Sequence, residues 1–182
     1  MKSKGIDIYI DNLGSKDDNI RYNALQEILK ITEQPVEWFE EYYKIFVDKL
    51  DSDNSYQRSI GMMVLCNLVK NESKNEYKEI LPKIMKLVDD EKFITERQYL
   101  QNIWKIAVHE SKYKVKIVKQ LEIEYGECEK KKHYNLLRLD IIVSMYNISK
   151  KENDKELLDR IKRLIEKEND VKNRKKYQSV IK

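Results

Sequence analysis

The sequence predicts an all-α protein, a right-handed solenoid of about five stacked helical hairpins in one domain, residues 1–182. Its composition favours long helices over sheets, whose turns require glycine, because 37% of the residues are charged, 41% are apolar, and only 4 are Gly and 2 are Pro. The run Ile60–Val69, IGMMVLCNLV, contains one strongly polar side chain, Asn67, and predicts a helix that is covered on several sides. The segments Trp38–Leu50 and Tyr77–Val88 are amphipathic at helical spacing and supply this cover.

A recurring arginine gives the hairpins their period. Each arginine stands at the start of an apolar helical run, and acidic residues precede most of them. Their separations of 37, 39, 41 and 36 residues lie in the range of helical-pair repeats. We expect each guanidinium to bond the acidic turn of its own or the neighbouring hairpin; the alternative is a line of cations available to phosphates. The arginines are Arg21, Arg58, Arg97, Arg138 and Arg174.

The first five helices are placed by apolar spacing and by residues that start or stop a helix. Gly14 ends the first helix, and Asp17 or Asp18 is expected to accept hydrogen bonds from the free N–H groups of the second. Pro35 suits the start of the third helix, where no N–H donor is needed, whereas Pro82 should kink the fifth. The predicted helices are Ile6–Leu13, Asn19–Thr32, Val36–Leu50, Tyr56–Asn71 with Ser55 as its cap, and Glu76–Val88.

The remaining helices follow the same rules. The sixth carries an apolar set that includes Trp104, and Gly126 is expected to end the seventh with a left-handed residue. The last helix is the most polar, as expected for a terminal repeat with one uncovered face. The predicted helices are Thr95–Glu110, Tyr113–Tyr125, His133–Ser149, Lys155–Lys167 and Val171–Ile181.

Several polar or reactive side chains lie inside strongly apolar helices. We expect Asn67 and Asn147 to bond a neighbouring helix or a backbone carbonyl, because buried polar groups need partners. Asp140 should pair with a Lys or Arg side chain, since an unpaired buried carboxylate is too costly. Cys66 is expected to be a buried small hydrophobe.

Two features of the sequence resemble the HEAT/armadillo class of helical repeats. The first is the stretch EILPKIMKLVDDE (79–91), with a proline inside a helix and an acidic turn after it. The second is the recurring start of the second helix, an acidic turn followed by Arg-x-x-small/apolar. The resemblance covers nearly the whole chain and implies that the second helices line a concave face where partners bind. The unit around Arg138 departs from the pattern, because KKKH precedes this arginine in place of an aspartate turn.

Several classes of function find no support in the sequence. No apolar run reaches the roughly 18 residues that span a bilayer, and acidic residues near the N-terminus interrupt the apolar run that an export signal needs. Cys66 and Cys128 give neither a disulfide framework nor zinc spacing, and His109 and His133 have no partners at metal-ligand spacing. We therefore predict a cytoplasmic, non-catalytic protein without a cofactor, a metal or a membrane partner.

A minor enzymatic alternative follows from the same resemblance. Some bacterial proteins built from HEAT-like repeats are DNA glycosylases that remove alkylated bases, and their sites use tryptophans and an aspartate in a basic groove. Here Trp38 and Trp104 are followed four residues later by Tyr42 and Val108. Neither position offers a carboxylate, so the family's catalytic site does not carry over to this chain.

Aromatic and basic side chains are the predicted contact residues. Tyrosine is enriched at interfaces because it offers a large rigid face with a polar tip, and Tyr22 and four other tyrosines fall on second helices. The formal net charge is −4 over residues 1–60 and +4 over each of residues 61–120 and 121–182, and two basic runs about 40 residues apart would share one edge of a solenoid. The predicted contacts are Tyr56, Tyr99, Tyr134, Tyr146, Lys130, Lys131, Lys132, Arg174, Lys175 and Lys176.

Together these features predict a protein-interaction module that grips a protein partner on its concave face. A scaffold, an adaptor and an inhibitor of the immunity type all fit this class, and the acidic first third is a second candidate surface. The alternative is a nucleic-acid-binding repeat protein that uses its basic C-terminal half.

Overall fold

The computed structural model describes residues 5–181, and its regular elements over that range are helices, with no strand among them. The prediction of an all-α protein is therefore confirmed. Short 3-10 turns extend three of the helices, at Val69–Asn71, Leu87–Asp89 and Cys128–Lys130. The α-helices are α1 (Ile6–Asn12), α2 (Asp18–Ile31), α3 (Phe39–Lys49), α4 (Ser55–Leu68), α5 (Tyr77–Lys86), α6 (Phe93–Asn102), α7 (Trp104–His109), α8 (Ser111–Glu127), α9 (Tyr134–Glu152), α10 (Lys155–Glu166) and α11 (Val171–Gln178).

The cap of α2 is a predicted residue, whereas the start of α3 and the cap of α4 differ from the prediction. Asp17 caps α2 as predicted, and its carboxylate accepts hydrogen bonds from the first turn. Helix α3 begins three residues later than predicted, because the N–H and C=O groups of Val36 both bond the side chain of Asn71. The cap of α4 is Asn54 and not Ser55, since the Asn54 side chain accepts a hydrogen bond from the N–H of Tyr56 at 2.9 Å.

Two predictions about helices in the second half of the chain are wrong. The predicted helix Thr95–Glu110 is interrupted at Ile103, where the side chains of Asn102 and Trp104 bond the carbonyls of the residues four and three positions before them. Gly126 does not end its helix but lies inside α8. The left-handed residue that ends a helix here is Asn153, at the end of α9.

The chain divides into two compact units, of which the first ends at Thr95 and the second begins at Glu96. The prediction of a single domain stays a prediction. In the first unit α4 packs on α2 and α3, and every residue from Ser59 to Val69 is buried. Gly61 permits this packing, because a Cβ atom at that position would lie 2.6 Å from the carbonyl oxygen of Phe46.

The buried polar residues of α4 have the partners that the sequence predicted. The amide nitrogen of Asn67 donates to the carbonyl of Leu29 at 3.1 Å and to the hydroxyl of Thr32 at 3.0 Å. Cys66 is fully buried, as predicted for a small hydrophobe. These contacts tie α4 to the end of α2.

In the second unit α9 is the central helix, and it packs against α7, α8, α10 and α11. Its buried side consists of Leu137, Ile141, Met145 and Ile148, which recur at intervals of three or four residues and so share one face. Asn147, which was expected to need a buried partner, is half-buried.

Candidate interaction face

The arginine series stabilises the fold within each unit. Arg58 forms a two-point ion pair with Asp90, with Nε–Oδ2 and Nη2–Oδ1 distances of 2.7 and 3.0 Å. Arg138 is buried and bonds the buried carboxylate of Glu168 at 2.9 Å. Asp90 and Glu168 belong to the acidic turns of neighbouring hairpins, so the predicted pairing is confirmed for these arginines. Their guanidinium groups are occupied by carboxylates and are not a line of phosphate-binding cations.

A second contact recurs in the same series. The guanidinium groups of Arg21, Arg58 and Arg174 each donate to the carbonyl oxygen six residues earlier in the chain, at 2.8, 2.9 and 2.8 Å. This bond closes the turn that precedes the helix. Arg174, a predicted contact residue, is therefore half-buried and holds the turn before α11.

The predicted tyrosines differ widely in exposure. Tyr99 is fully buried and its hydroxyl donates to Gln120 at 2.5 Å, so it is not available to a partner. Tyr134 and Tyr146 are half-buried. Tyr56 is 61% exposed and lies at the start of α4, which has no further exposed residue as far as Val69. The first unit thus offers an exposed tyrosine at a helix start and no exposed row along α4.

The predicted lysines also separate into two groups. Lys131 bonds the buried carboxylates of Glu96 and Glu124, each at 2.8 Å. Burial disfavours its charged form, but the two carboxylates outweigh this effect and raise the pKa of Lys131. Lys131 therefore holds α6 to α8. The exposed lysines are Lys130, Lys132, Lys175 and Lys176.

The two basic segments are connected through Arg138. Glu129 lies in the same turn as Lys130, and Glu168 lies just before α11. Both carboxylates bond the Arg138 guanidinium, at 3.2 and 2.9 Å. In addition, the hydroxyl of Tyr177 in α11 donates to the carbonyl of Asn135 in α9 at 3.0 Å. The turn that carries Lys130 and the start of α11, the helix that carries Lys175, therefore both lie near one end of α9.

Helices α7 and α9 run in the same direction. Helix α8 follows α7 after one residue, Glu110, and its second half bonds Tyr99 of α6 through Gln120. At its far end, the carbonyl of Tyr125 accepts a hydrogen bond from Arg138 in the first turns of α9, at 3.0 Å. Helix α8 therefore runs opposite to both neighbours, and α7 and α9, which pack directly on each other, are parallel.

Polar contacts between α6 and α9 fix their register. Asp140 accepts hydrogen bonds from Arg97 at 2.6 and 3.1 Å and from Gln101 at 2.9 Å. The predicted pairing of Asp140 with a basic residue is thus confirmed. Trp104 comes three residues after Gln101 and Val143 comes three residues after Asp140, and their helices, α7 and α9, pack on each other.

Half-buried apolar side chains line this part of the second unit. On α9 they recur at intervals of three and four residues, which places them on one side of the helix. On α7 two such side chains are four residues apart. We call this set the α7–α9 face: Trp104, Val108, Leu136, Leu139, Val143 and Tyr146.

Sequence reasoning identified Tyr146 of this face as a contact residue and placed Trp104 in an apolar helix, but it missed the row as a whole. Helix α9 is apolar on several sides, so spacing alone does not distinguish the exposed side from the buried one. The position of Asp140 is the feature of the sequence that indicates how α9 faces its neighbours. A carboxylate in an apolar helix marks the side where a basic neighbour lies, and here that neighbour is Arg97 of α6.

A cavity lies between α8 and α10, and two of the cations that border it are paired within the protein. It is bordered by Arg160, whose guanidinium bonds Glu122 at 2.5 Å, and by Lys114, whose amine bonds Asp154 at 2.7 Å. Both cations are thus neutralised by carboxylates of the protein itself. Among residues 5–181 no three His, Cys, Asp or Glu side chains converge as metal ligands, and none of the helices described there is long and apolar enough to cross a membrane.

The sequence matches no model of a known protein family, and no curated protein is significantly similar to it. The α7–α9 face and the basic end of α9 are therefore interpreted from their own chemistry.

Proposed function

We propose that this protein is a non-catalytic protein-interaction module whose α7–α9 face binds a protein partner. The observation that supports the proposal is a row of partly exposed apolar side chains on two parallel helices, which includes Trp104 and Tyr146. Aromatic residues of these types dominate the binding energy of protein interfaces. The bonds of Arg97 and Gln101 to Asp140 hold α6, which leads directly into α7, in a fixed register on α9 before the partner arrives, so less conformational entropy is lost on binding.

The architecture that we propose for the module is the right-handed solenoid of HEAT-like hairpins. Two regularities support it. The first is the bond to the carbonyl six residues earlier, which is made by Arg21, Arg58 and Arg174. The second is a bond to a carboxylate of a later part of the chain, 32 residues on from Arg58, 43 from Arg97 and 30 from Arg138. In such a stack α7 and α9 are second helices and line the concave side. A scaffold, an adaptor or an inhibitor of the immunity type would use that side.

The test is capture of a partner from lysate of the source organism, with nuclease present, by the full chain and by two matched variants. Val143→Glu places a charge in the α7–α9 face, and Val115→Glu places one on α8, where the side chain is 77% exposed and borders the cavity with α10. We expect the same defined protein to bind the wild type and Val115→Glu and to be lost from Val143→Glu. Retention of that protein by a folded Val143→Glu variant would contradict the proposal.

A second candidate function is nucleic-acid binding at the basic end of α9. The observation that favours it is the meeting of the two basic segments at Arg138, which brings exposed lysines to one region. A site that contacts about five phosphates should lose roughly 10²- to 10³-fold in affinity between about 50 and 200 mM salt.

The corresponding measurement is fluorescence anisotropy with labelled single-stranded DNA and RNA. Reversal of Lys130, Lys132 and Lys175 to Glu should abolish binding. Reversal of three exposed lysines of the first unit should leave it unchanged, and this control consists of Lys30, Lys44 and Lys78. Absence of binding at low salt would exclude this function.

A further inference from the structure

The second unit is strongly basic. Residues 96–182 contain 22 Lys and Arg against 14 Asp and Glu, a formal net charge of +8, whereas residues 1–95 contain 14 against 18, a net charge of −4. A field of one sign attracts partners of the opposite sign and excludes partners of the same sign. A partner that approaches the second unit therefore meets a net positive charge.

Lysines stand at both ends of the apolar row on α9. Lys150 follows Tyr146 by four residues and so continues the row, and Lys151 is its neighbour. At the other end, Lys132 lies in the turn that precedes α9. All three side chains are exposed.

The carboxylates near this face are already bonded to other residues of the protein. Asp140 is held by Arg97 and Gln101. At the far end of α9, Lys114 bonds both Glu152 and Asp154. These acidic groups therefore do little to neutralise the lysines that border the row.

The dimensions of the face suit a helix. Two packed helices lie about 8–10 Å apart and leave a groove between them; here the 6-residue α7 borders α9 over about 9 Å, and the row on α9 continues beyond it. From Leu136 to Lys150 the row rises by about 21 Å, the length of a helix of roughly 14 residues. An amphipathic helix buries its apolar side in such a groove and leaves its polar side at the rim.

We infer that the partner of the α7–α9 face contributes an acidic amphipathic helix. Its apolar side chains pack between Trp104 and Val143, and its carboxylates meet Lys132, Lys150 and Lys151. This inference rests on the proposed function and adds the chemical class of the partner. A nucleic acid fits the face less well, because four of its six apolar side chains are aliphatic and offer neither charge to phosphates nor an aromatic ring to bases.

The test uses three synthetic 16-residue peptides with the same leucines on one helical side and Glu, Gln or Lys on the other. Binding is followed by anisotropy of the labelled peptide with the wild-type full chain. It is also followed by the emission of Trp104 in a Trp38→Phe variant, in which Trp104 is the remaining tryptophan. We expect the Glu peptide to bind at least roughly tenfold more tightly than the Gln peptide, to shift the Trp104 emission, and to weaken with salt.

Matched charge reversals locate the contact. The triple change Lys132→Glu, Lys150→Glu and Lys151→Glu should reduce the affinity for the Glu peptide roughly tenfold, to that of the Gln peptide. A control variant reverses Lys30, Lys44 and Lys78 of the first unit and should bind as the wild type does.

Several results would overturn the inference. Equal affinities for the Glu and Gln peptides would leave the face as a binding site but remove its preference for acidic partners. A labelled oligonucleotide that shifts the Trp104 emission would assign the face to nucleic acid. A dimer in sedimentation that Val143→Glu abolishes would assign it to a second copy of the chain. If no peptide binds while capture of the lysate partner depends on Val143, the acidic helix is wrong and the proposed function stands.

Discussion

Arg97 and Asp140 form a two-point ion pair between α6 and α9, with Nε–Oδ2 and Nη2–Oδ1 distances of 2.6 and 3.1 Å. The side-chain amide of Gln101 donates to the same carboxylate at 2.9 Å. Asp140 is buried, whereas Arg97 is half-buried, so the pair lies at the edge of the core. The pair therefore fixes the register of α6 on α9.

Replacement of Asp140 should therefore cost stability. Asp140→Ala leaves the guanidinium of Arg97 without its carboxylate, and we expect the free energy of unfolding to fall by about 1–3 kcal/mol, less than for a fully buried pair because Arg97 is partly exposed. Urea unfolding followed by circular dichroism measures the change. The control is Asp159→Ala, which removes an exposed pair with Lys162 and should change stability little. Equal losses in the two variants would contradict the structural role of Asp140.

Replacement of Gly61 and of Gly126 by alanine should change the stability of the protein in opposite directions. In Gly61→Ala the added Cβ meets the carbonyl of Phe46 at 2.6 Å and the Cβ of Lys49 at 2.8 Å, so α3 and α4 must move apart. We expect a loss of about 1–3 kcal/mol. In Gly126→Ala nothing lies within 4 Å and the residue is helical, so the better helix propensity of alanine should add about 0.5–1 kcal/mol. Thermal unfolding of both variants tests this, and destabilisation by Gly126→Ala would show that α8 does not continue through this position.

Lys131 and Lys132 are adjacent but should respond differently. Lys131→Met leaves the buried carboxylates of Glu96 and Glu124 without their shared cation, and we expect a loss of about 1–3 kcal/mol at neutral pH. The pKa of Lys131 is raised in the folded state, so its contribution is complete below the ordinary lysine pKa and is lost as the pH rises above it. Lys132→Met, at an exposed position, should change stability little.

The pH dependence of the Lys131→Met variant provides a further check. Carboxyl groups take up protons near pH 4, so the difference in unfolding free energy between this variant and the wild type should shrink. A difference that stays constant from about pH 7 to pH 4 would indicate that lost packing of the lysine chain, and not the lost charge, destabilises the variant.

Asp90 should contribute to acid unfolding of the first unit. Burial disfavours its carboxylate, but hydrogen bonds from Arg58 and from the N–H of Lys92 outweigh burial and hold the pKa of Asp90 below its ordinary value. A carboxyl group with a depressed folded pKa stabilises the protein above the unfolded pKa, and this contribution is lost as the pH falls through the folded pKa.

The corresponding experiment compares the wild type with Asp90→Asn in urea at about pH 7, 5 and 3. The wild type should lose more unfolding free energy between pH 5 and pH 3 than the variant, because the amide cannot titrate. Identical pH profiles for the two proteins would show that Asp90 does not contribute to the acid response.

The sequence by itself determined the helical class, a cap at Asp17 or Asp18, the burial of Cys66 and the need of Asn67 and Asp140 for partners. These properties depend on residues close in the chain, or on the cost of burying any polar group without a partner. The acidic turns before the arginines also indicated the ion pairs, because an arginine one turn into a helix lies near the acidic residues of adjacent turns.

The tertiary structure alone decided which side of each apolar helix is covered. Tyr56 lies two residues before Arg58 and Tyr99 lies two residues after Arg97, and both were predicted as contact residues, yet Tyr56 is 61% exposed and Tyr99 is fully buried. Lys131 is bound by two carboxylates, whereas Lys132 beside it is exposed. Helical spacing shows which residues share a side, but exposure depends on whether another helix packs there, and that is set by contacts between residues far apart in the chain.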